Sequence, residues 1–292
     1  MLSFLLKNQE IWHYSGYKTH VIADFFYEIQ NEIDLHFLHK AYIFSQENNL
    51  PFLIIGWGTN ILFSEPVFRG VVIKNSLTGW KYDNEKRILQ THSADSIWNI
   101  AESIESEYQN MIWHRFIGLP GSIGGAIYGN AGCFWLEAES NFLSVHLYDM
   151  RSDKKITLTK EEMQFSYRSS YLKENNDLFI ISADFDLARI NEKYSSDVDN
   201  IYFREHKQPK GNCCGSFFKN PSRDTSAGML IESVWLKWYH HGWAYWSELH
   251  ANFLMSEGES CKPSDLIELI RLTQEKVKQE KWIDLVNEVK II

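Results

Sequence analysis

Two glycine-rich loops are the clearest chemical signal in the chain. The first, Gly56-Trp57-Gly58-Thr59-Asn60, follows the apolar run Phe52-Leu53-Ile54-Ile55. The second, Gly118-Leu119-Pro120-Gly121-Ser122-Ile123-Gly124-Gly125, is followed by Asn130-Ala131-Gly132. Glycine lets backbone N–H groups approach a ligand with no Cβ in the way. One such cluster is more often a tight turn beside a strand. Two, interleaved with Ser, Thr and Asn, predict two backbone cradles on one phosphate-rich molecule, a dinucleotide.

Three further constellations could carry a reaction. Ser216 lies in Cys213-Cys214-Gly215-Ser216-Phe217-Phe218-Lys219-Asn220-Pro221, where it could donate a proton or bind an anion. Taken alone, a serine in a turn is the commoner case. Arg168, in Tyr167-Arg168-Ser169-Ser170, offers a planar fork suited to carboxylate or phosphate. Most arginines of this kind simply lie on the surface. Glu288 is an acid within an apolar C-terminal segment, and an edge position facing solvent would explain it equally well.

Several chemistries are excluded. A nucleophile elbow needs GxSxG, and around Ser122 the chain reads Pro120-Gly121-Ser122-Ile123-Gly124. The GxGxxG fingerprint of the Rossmann fold is missing. His240, His241 and His250 lack metal-ligand spacing, so no metal is expected. The cysteines Cys133, Cys213, Cys214 and Cys261 form no CxxC pair, which indicates neither zinc nor a disulfide framework and makes a cytoplasmic location the default. The formal charge of -9, from 29 basic and 38 acidic residues, argues against a broad grip on nucleic acid or anionic lipid. No apolar stretch approaches a membrane span, and the start Met1-Leu2-Ser3-Phe4-Leu5-Leu6-Lys7 is too short for a secretory signal. No membrane or nucleic-acid partner is expected, and the chain should act as a monomer on a small molecule.

The elements that position these residues read as an α+β protein. Residues 34–50 predict a helix, with Leu35, Phe37, Leu38, Ala41 and Phe44 at apolar positions. A buried strand follows at 52–55 and another around 71–73. Residues 97–106 read as helical. Leu143, Val145 and Leu147, then Ile181, Ala183, Phe185 and Leu187, alternate with polar residues as half-buried strands do. Between them, a turn at Arg151-Ser152-Asp153 leads into Ile156-Thr157-Leu158. Near the end, Ser264 is placed to cap a helix carrying Leu266, Ile270, Thr273 and Val277 on one face, and 288–292 read as a short strand. The order of these elements reads as three lobes, 1–75, 76–197 and 198–292.

At this point a family resemblance becomes specific. Tyr17-Lys18-Thr19 resembles an early YxT segment of the UDP-N-acetylenolpyruvoylglucosamine reductase (MurB) family. Gly56 to Asn60 resembles its GxGSN loop with Thr59 for Ser, Gly118 to Gly125 its GIPGxxGGA, and Asn130-Ala131-Gly132 its NAG. Tyr167 to Ser170 resembles YRxS, Gly215 to Pro221 is similar to GSFFKNP, and Ala227 to Glu232 resembles AGxLIE. His250-Ala251-Asn252-Phe253 and the terminal Glu288-Val289-Lys290-Ile291-Ile292 complete the set. Each motif is weak alone; in this order along the chain they are specific.

The resemblance implies a two-lobed FAD-binding domain of the vanillyl-alcohol-oxidase/PCMH type (1–75 and 76–197) and an α+β substrate-binding domain (198–292). It implies FAD as cofactor and NADPH as cosubstrate. The reaction would be reduction of UDP-N-acetylglucosamine enolpyruvate to UDP-N-acetylmuramate in peptidoglycan precursor synthesis. Tyr17, Thr19, Gly56, Gly58, Thr59, Asn60, Gly118, Gly121, Ser122, Gly124, Gly125, Asn130, Ala131 and Gly132 would lie along the cofactor. Tyr167, Lys219 and Asn220 would bind the UDP-sugar. Ser216 would protonate the carbon beside the one that receives hydride, with Arg168 and Glu288 stabilising the enolate-like state. Two rivals are another FAD-dependent oxidoreductase of the same fold and a flavin-binding protein without turnover.

The chain departs from the family's pattern in two places. His20-Val21-Ile22-Ala23-Asp24 stands where paired glycines often follow the YxT segment. The chain also has 11 Trp and 16 Gly, and Trp57, Trp135, Trp235, Trp238, Trp243 and Trp282 stand where similar proteins often carry glycine. Trp57 is the weaker case, at a variable position. Two explanations remain open: a Trp-rich, diverged enzyme, or glycine codons read as tryptophan, since some bacteria decode UGA as glycine and others as tryptophan.

Overall fold

The computed structural model describes residues 2–188 and 200–292. In chain order the first elements are β1 (Leu6–Glu10), β2 (Ile22–Ile29), α1 (Leu35–Glu47), β3 (Phe52–Ile55), β4 (Ile61–Leu62) and β5 (Val67–Asn75). There follow β6 (Trp80–Asp83), β7 (Ile88–His92), α2 (Ile97–Tyr108), α3 (Ile123–Gly129), β8 (Gly132–Cys133), β9 (Leu136–Glu137), β10 (Phe142–Asp149), β11 (Lys154–Thr159) and β12 (Leu178–Asp186). The remainder comprises α4 (Asn200–Lys207), β13 (Asn212–Ser216), α5 (Ala227–Ser233), β14 (His240–His241), β15 (Ala244–Trp246), β16 (Phe253–Ser256), α6 (Pro263–Lys281) and β17 (Lys290–Ile291). No helix among the described residues is long and apolar enough to cross a membrane.

Two compact units emerge, each built from separate stretches of chain. One comprises Met1–Lys7, Phe25–Trp57 and Gly70–Ile201; the other comprises Asn8–Asp24, Gly58–Arg69 and Tyr202–Ile292. The first glycine loop is therefore divided, with Gly56 and Trp57 in the first unit and Gly58, Thr59 and Asn60 in the second, while the second loop lies wholly in the first unit. The boundary expected at 197/198 lies outside the described residues.

The first unit is built around a five-stranded sheet in the order β11-β10-β12-β7-β6, with antiparallel pairing throughout. β10 carries register shifts against β12, between Phe142 and Ser144 and between His146 and Leu147. Its core gathers Ile97, Ile100, Ala101 and Ile104 of α2, Ile123, Ala126 and Ile127 of α3, and Val145, Leu147, Ala183 and Phe185 of the sheet. A second cluster seats Leu35, Leu38 and Ala41 of α1 on Val71 and Ile73. β3 and β5 run parallel, Phe52 opposite Val71, in a four-stranded sheet ordered β1-β2-β5-β3.

The second unit holds a sheet ordered β13-β16-β15-β14, against which α5 and α6 pack. Leu266, Leu269, Ile270 and Val277 of α6 meet Trp246, Leu254, Ala227 and Ile231 in its core. The indole N–H of Trp246 donates to Thr273 Oγ1 (2.9 Å), whose hydroxyl donates to the Leu269 carbonyl (2.7 Å). A parallel pairing of β17 with β4, Lys290 opposite Ile61, ties the C-terminal segment to the chain just after the first glycine loop.

Two local expectations need correction. Helix α6 begins at Pro263, one residue before the expected cap Ser264, and the Asp265 carboxylate accepts the Lys262 N–H (3.2 Å). Proline suits a first helical position because its missing N–H would lack a helical partner anyway. At the chain end only Lys290 and Ile291 form a strand, so Glu288 precedes it.

Candidate active site

In the first unit the second glycine loop is a turn that becomes helix α3. Gly118 (φ 81°) and Gly121 (φ 139°) adopt left-handed backbone that favours glycine. Ser122 caps α3, accepting the Gly125 N–H (3.2 Å). The Ile123 N–H goes to the Asp95 carbonyl (2.9 Å) and the Gly124 N–H to the Ser93 carbonyl (2.7 Å). The donors of residues 123–125 are thus spent inside the protein, and glycine at 124 serves close backbone approach: a Cβ there would lie 3.0 Å from the Ser93 carbonyl oxygen. Gly56, at the end of β3, comes equally close to this loop, since its Cβ would lie 2.8 Å from Ser122 Oγ. The two glycine segments therefore meet at Ser122.

The Arg168 turn lies in the same unit. Ser166 and Ser169 exchange backbone hydrogen bonds (3.1 and 3.0 Å), which leaves Tyr167 and Arg168 at the tip, Arg168 with φ 56°. The guanidinium donates to the Gly132 carbonyl (2.8 Å) and lies 5.1 Å from the Tyr167 ring centroid. Lys173 Nζ donates to the Arg168 carbonyl (2.6 Å). Arg168 Nη1 and Glu137 Cγ both crowd the Gly132 α-carbon, at 3.2 and 2.7 Å from where a Cβ would sit. Burial pushes the Glu137 carboxyl up, Glu139 beside it pushes further, and the Arg168 charge pulls it back. Fully buried Asn130 orders this pair: its amide donates to Glu139 (3.2 Å), Glu137 (3.5 Å) and the Ser166 carbonyl (3.1 Å), and its carbonyl accepts the Glu139 N–H (3.1 Å). Asn130, expected along a cofactor, is thus engaged in holding the Arg168 turn.

In the second unit the structure brings Ser216 and the Glu288 segment together. Ser216 ends β13, opposite Phe253 of β16. The next carbonyl, that of Phe217, accepts the N–H of Glu288 (2.8 Å) and of Val289 (3.3 Å). The Lys219 N–H donates to the Val286 carbonyl (2.8 Å). Asn60 completes the clamp: its amide donates to the Glu288 carbonyl (3.2 Å) and its carbonyl accepts the Lys290 N–H (3.1 Å). Asn220 Oδ1 accepts the Ala227 N–H at the start of α5 (3.1 Å). Gly215, just before Ser216, has φ 77° with open space around its α-carbon.

Two of the expected cofactor residues, Tyr17 and Thr19, are fully buried in this unit. Burial, with Cys214 and Cys213 nearby, pushes the Tyr17 hydroxyl well above its ordinary range, and its carbonyl accepts a hydrogen bond from Ser256. The Thr19 hydroxyl is buried without a hydrogen-bond partner. Gly58 (φ 72°) lies against the Tyr14 carbonyl, 1.8 Å from where its Cβ would be, and its own carbonyl accepts the Gly16 N–H (3.1 Å).

Sequence reasoning missed Asn252 and Glu137. Buried Asn252 accepts the Phe218 N–H (2.9 Å) and donates to its carbonyl (2.8 Å), while its own carbonyl accepts the Phe217 N–H (2.7 Å), so it fixes the chain directly after Ser216. The His250-Ala251-Asn252-Phe253 motif was the available signal.

Residues 207–292 match the C-terminal domain of UDP-N-acetylenolpyruvoylglucosamine reductase. The UDP-N-acetylenolpyruvoylglucosamine reductase of Fervidobacterium nodosum is 35% identical over 250 residues, which cover 84% of this chain and 79% of the relative. The chain belongs to the UDP-N-acetylenolpyruvoylglucosamine reductase family. The reductase of Protochlamydia amoebophila is 32% identical over 274 residues, covering 92% of this chain and 88% of its own. The family fold is likewise present: the crystal structure of UDP-N-acetylenolpyruvylglucosamine reductase from Thermus caldophilus superposes with a TM-score of 0.74 at 21% identity, covering 99% of each chain. Membership makes the chain an oxidoreductase.

Proposed function

We infer that this chain reduces UDP-N-acetylglucosamine enolpyruvate to UDP-N-acetylmuramate in peptidoglycan precursor synthesis, in the cytoplasm, with NADPH as the reductant and FAD as the bound carrier. The observation that carries the reading is the clamp of Glu288 onto Phe217, which fixes a carboxyl-bearing residue beside the Ser216 strand end through Asn60 and Asn252. Residues 1–75 and 76–197 would hold the cofactor and 198–292 the sugar.

The chain fits a flavin dinucleotide. The Thr19 hydroxyl is a buried polar atom without a partner, as a group awaiting a ligand would be. Gly118 and Gly121 present left-handed backbone with no side chain in the way. With Tyr17, Gly56, Gly58, Thr59, Ser122, Gly125, Ala131 and Gly132 these residues would hold FAD. When bound, the flavin supplies hydride transfer from the nicotinamide to the substrate's methylene carbon.

The protein's part is charge and proton placement. Hydride arriving at the methylene carbon pushes negative charge toward the adjacent carbon and its carboxylate. A guanidinium held at a fixed position lowers the energy of that state without reorganising as charge develops. Arg168 has that fixed position through Gly132 and the Ser166–Ser169 pairing. Ser216 Oγ–H then delivers the proton to the adjacent carbon. A serine is a poor acid in water and needs an intense local field and fixed placement to act. Tyr167, Lys219 and Asn220 would orient the UDP-sugar, and Glu288 would share in stabilising the enolate-like state.

The test separates the two half-reactions. In Ser216→Ala, NADPH should reduce the flavin at the parental rate, while reoxidation by the enolpyruvyl sugar slows by roughly 10²–10⁴-fold, the range for a lost general acid. Equal loss in both half-reactions would remove Ser216 from the proton-donor role.

A further inference from the structure

Four of the 11 tryptophans of this chain stand apart from the rest in backbone conformation. Trp113 and Trp246 are core residues, 1% and 0% exposed, with ordinary backbone. Trp135, Trp235, Trp238 and Trp282 instead have φ of 70°, 61°, 64° and 60° and are 67%, 87%, 62% and 90% exposed. A bulky residue at such a φ is an outlier, because its Cβ strikes the following carbonyl.

Each of the four sits at a turn position whose geometry asks for glycine. Phe134 and Trp135 form the two-residue loop between β8 and β9, both at positive φ, which is the type I′ hairpin whose second position favours glycine. Trp235 follows α5 in a Schellman motif: its N–H donates to the Glu232 carbonyl (3.0 Å) and that of Leu236 to the Ile231 carbonyl (3.1 Å). Trp282 caps α6 in left-handed backbone, donating to the Lys278 carbonyl (3.0 Å). Trp238 is the third residue of the turn closed by the Tyr239 N–H on the Leu236 carbonyl (3.0 Å), where positive φ again favours glycine.

We propose that residues 135, 235, 238 and 282 are glycines in the protein as its own cell makes it, encoded by UGA codons that this cell reads as glycine. The same unsuitable residue recurring at four glycine positions calls for one cause, and codon decoding supplies it: UGA means glycine in some bacteria and tryptophan in others. Independent mutation would scatter different residues over these turns. Trp57 and Trp243 lie outside the proposal. Neither has positive φ, and the Trp57 indole N–H donates to the Ala94 carbonyl (3.0 Å). The exposed aromatic patch of Trp235 and Trp238 is then no docking surface, since it is absent from the native chain.

The test begins with the gene. The proposal expects TGA at codons 135, 235, 238 and 282 and TGG at 113 and 246. TGG at the four, or TGA also at 113 and 246, overturns it. Peptide mass spectrometry on the protein from its own cells should then give the mass of glycine at the four positions; tryptophan there overturns it. In recombinant protein, each of Trp135→Gly, Trp235→Gly, Trp238→Gly and Trp282→Gly should raise the folding equilibrium constant roughly two- to fivefold. That is the left-handed penalty less the chain entropy that glycine adds. A loss of stability at these positions, set beside Trp246→Gly as a core control that must unfold the protein, contradicts the steric argument.

Discussion

Gly58→Ala is the sharpest test of why the first loop needs glycine. Its left-handed φ of 72° alone costs a non-glycine residue about 1–2 kcal/mol. The larger cost is steric, because the new Cβ would lie 1.8 Å from the Tyr14 carbonyl oxygen, 2.3 Å from its carbon and 3.0 Å from the Ser15 nitrogen. All are backbone atoms, so no side chain can swing aside. The chain around residues 14–16 must shift, at an overpacking cost of about 1–3 kcal/mol. That shift strains the Gly16 N–H bond to the Gly58 carbonyl (3.1 Å). Alanine recovers about 0.4–1 kcal/mol by restricting the unfolded chain, leaving a net loss of about 1–5 kcal/mol.

Two controls calibrate the number. Gly215→Ala meets no atom within 4 Å but keeps the φ penalty, so it should lose about 1 kcal/mol. Gly129→Ala, in a helix with nothing within 4 Å and no positive φ, should be neutral or stabilising by up to about 1 kcal/mol. Urea denaturation followed by fluorescence ranks the three, and FAD titration reads the loop. Gly58→Ala with the midpoint and FAD affinity of Gly129→Ala would refute the close-approach argument.

Three other outcomes follow from the same geometry. Gly132→Ala should push Arg168 from its seat, since the Cβ would meet Glu137 Cγ at 2.7 Å and Arg168 Nη1 at 3.2 Å. Sugar-dependent turnover should then fall by about 10²-fold, the cost of misplacement on the scale of 1 Å, and unchanged turnover would remove Gly132 from that role. Trp246→Phe should cost about 2 kcal/mol in urea denaturation, through the lost bond to Thr273 and the void it leaves; a neutral result would contradict the core assignment. Burial pushes the Cys214 thiol up to about 12, so the folded protein keeps a proton there that the unfolded chain releases above about pH 9. Its stabilising contribution is complete below that pH and is lost as pH rises toward 12, at about 1.4 kcal/mol per unit; Cys214→Ala should flatten this slope, and an unchanged slope would assign it to other groups.

Long periodic elements were legible in the sequence. Helices α1, α2 and α6 and strands β10 and β12 follow apolar spacing that a local window contains, while β3 and β5 show as continuous apolar runs. Helix α3 was hidden because Gly124, Gly125 and Gly129 depress helix propensity, and it persists through the Ser122 cap and buried Ile123, Ala126 and Ile127. The sheet β13-β16-β15-β14 uses strands of two to five residues, too short for a periodic signal. The division of the first loop between two units at residues 57 and 58 depends on long-range contacts that spacing cannot reveal. The candidate site shows the same split. The types of Ser216, Arg168 and Glu288 mark them in the sequence itself, whereas Asn252 and Glu137 act through contacts made only after folding, Asn252 onto Phe218 34 residues away. Of the six tryptophans that the sequence pattern sets at glycine positions, only Trp135, Trp235, Trp238 and Trp282 have left-handed backbone, which spacing alone does not show.

The central claim is tested most directly by following NADPH oxidation by the FAD-loaded protein with and without UDP-N-acetylglucosamine enolpyruvate. The account predicts multiple-turnover oxidation that requires the sugar and yields UDP-N-acetylmuramate. NADPH oxidation at the same rate without the sugar, or bound flavin that no sugar reoxidises, would contradict it.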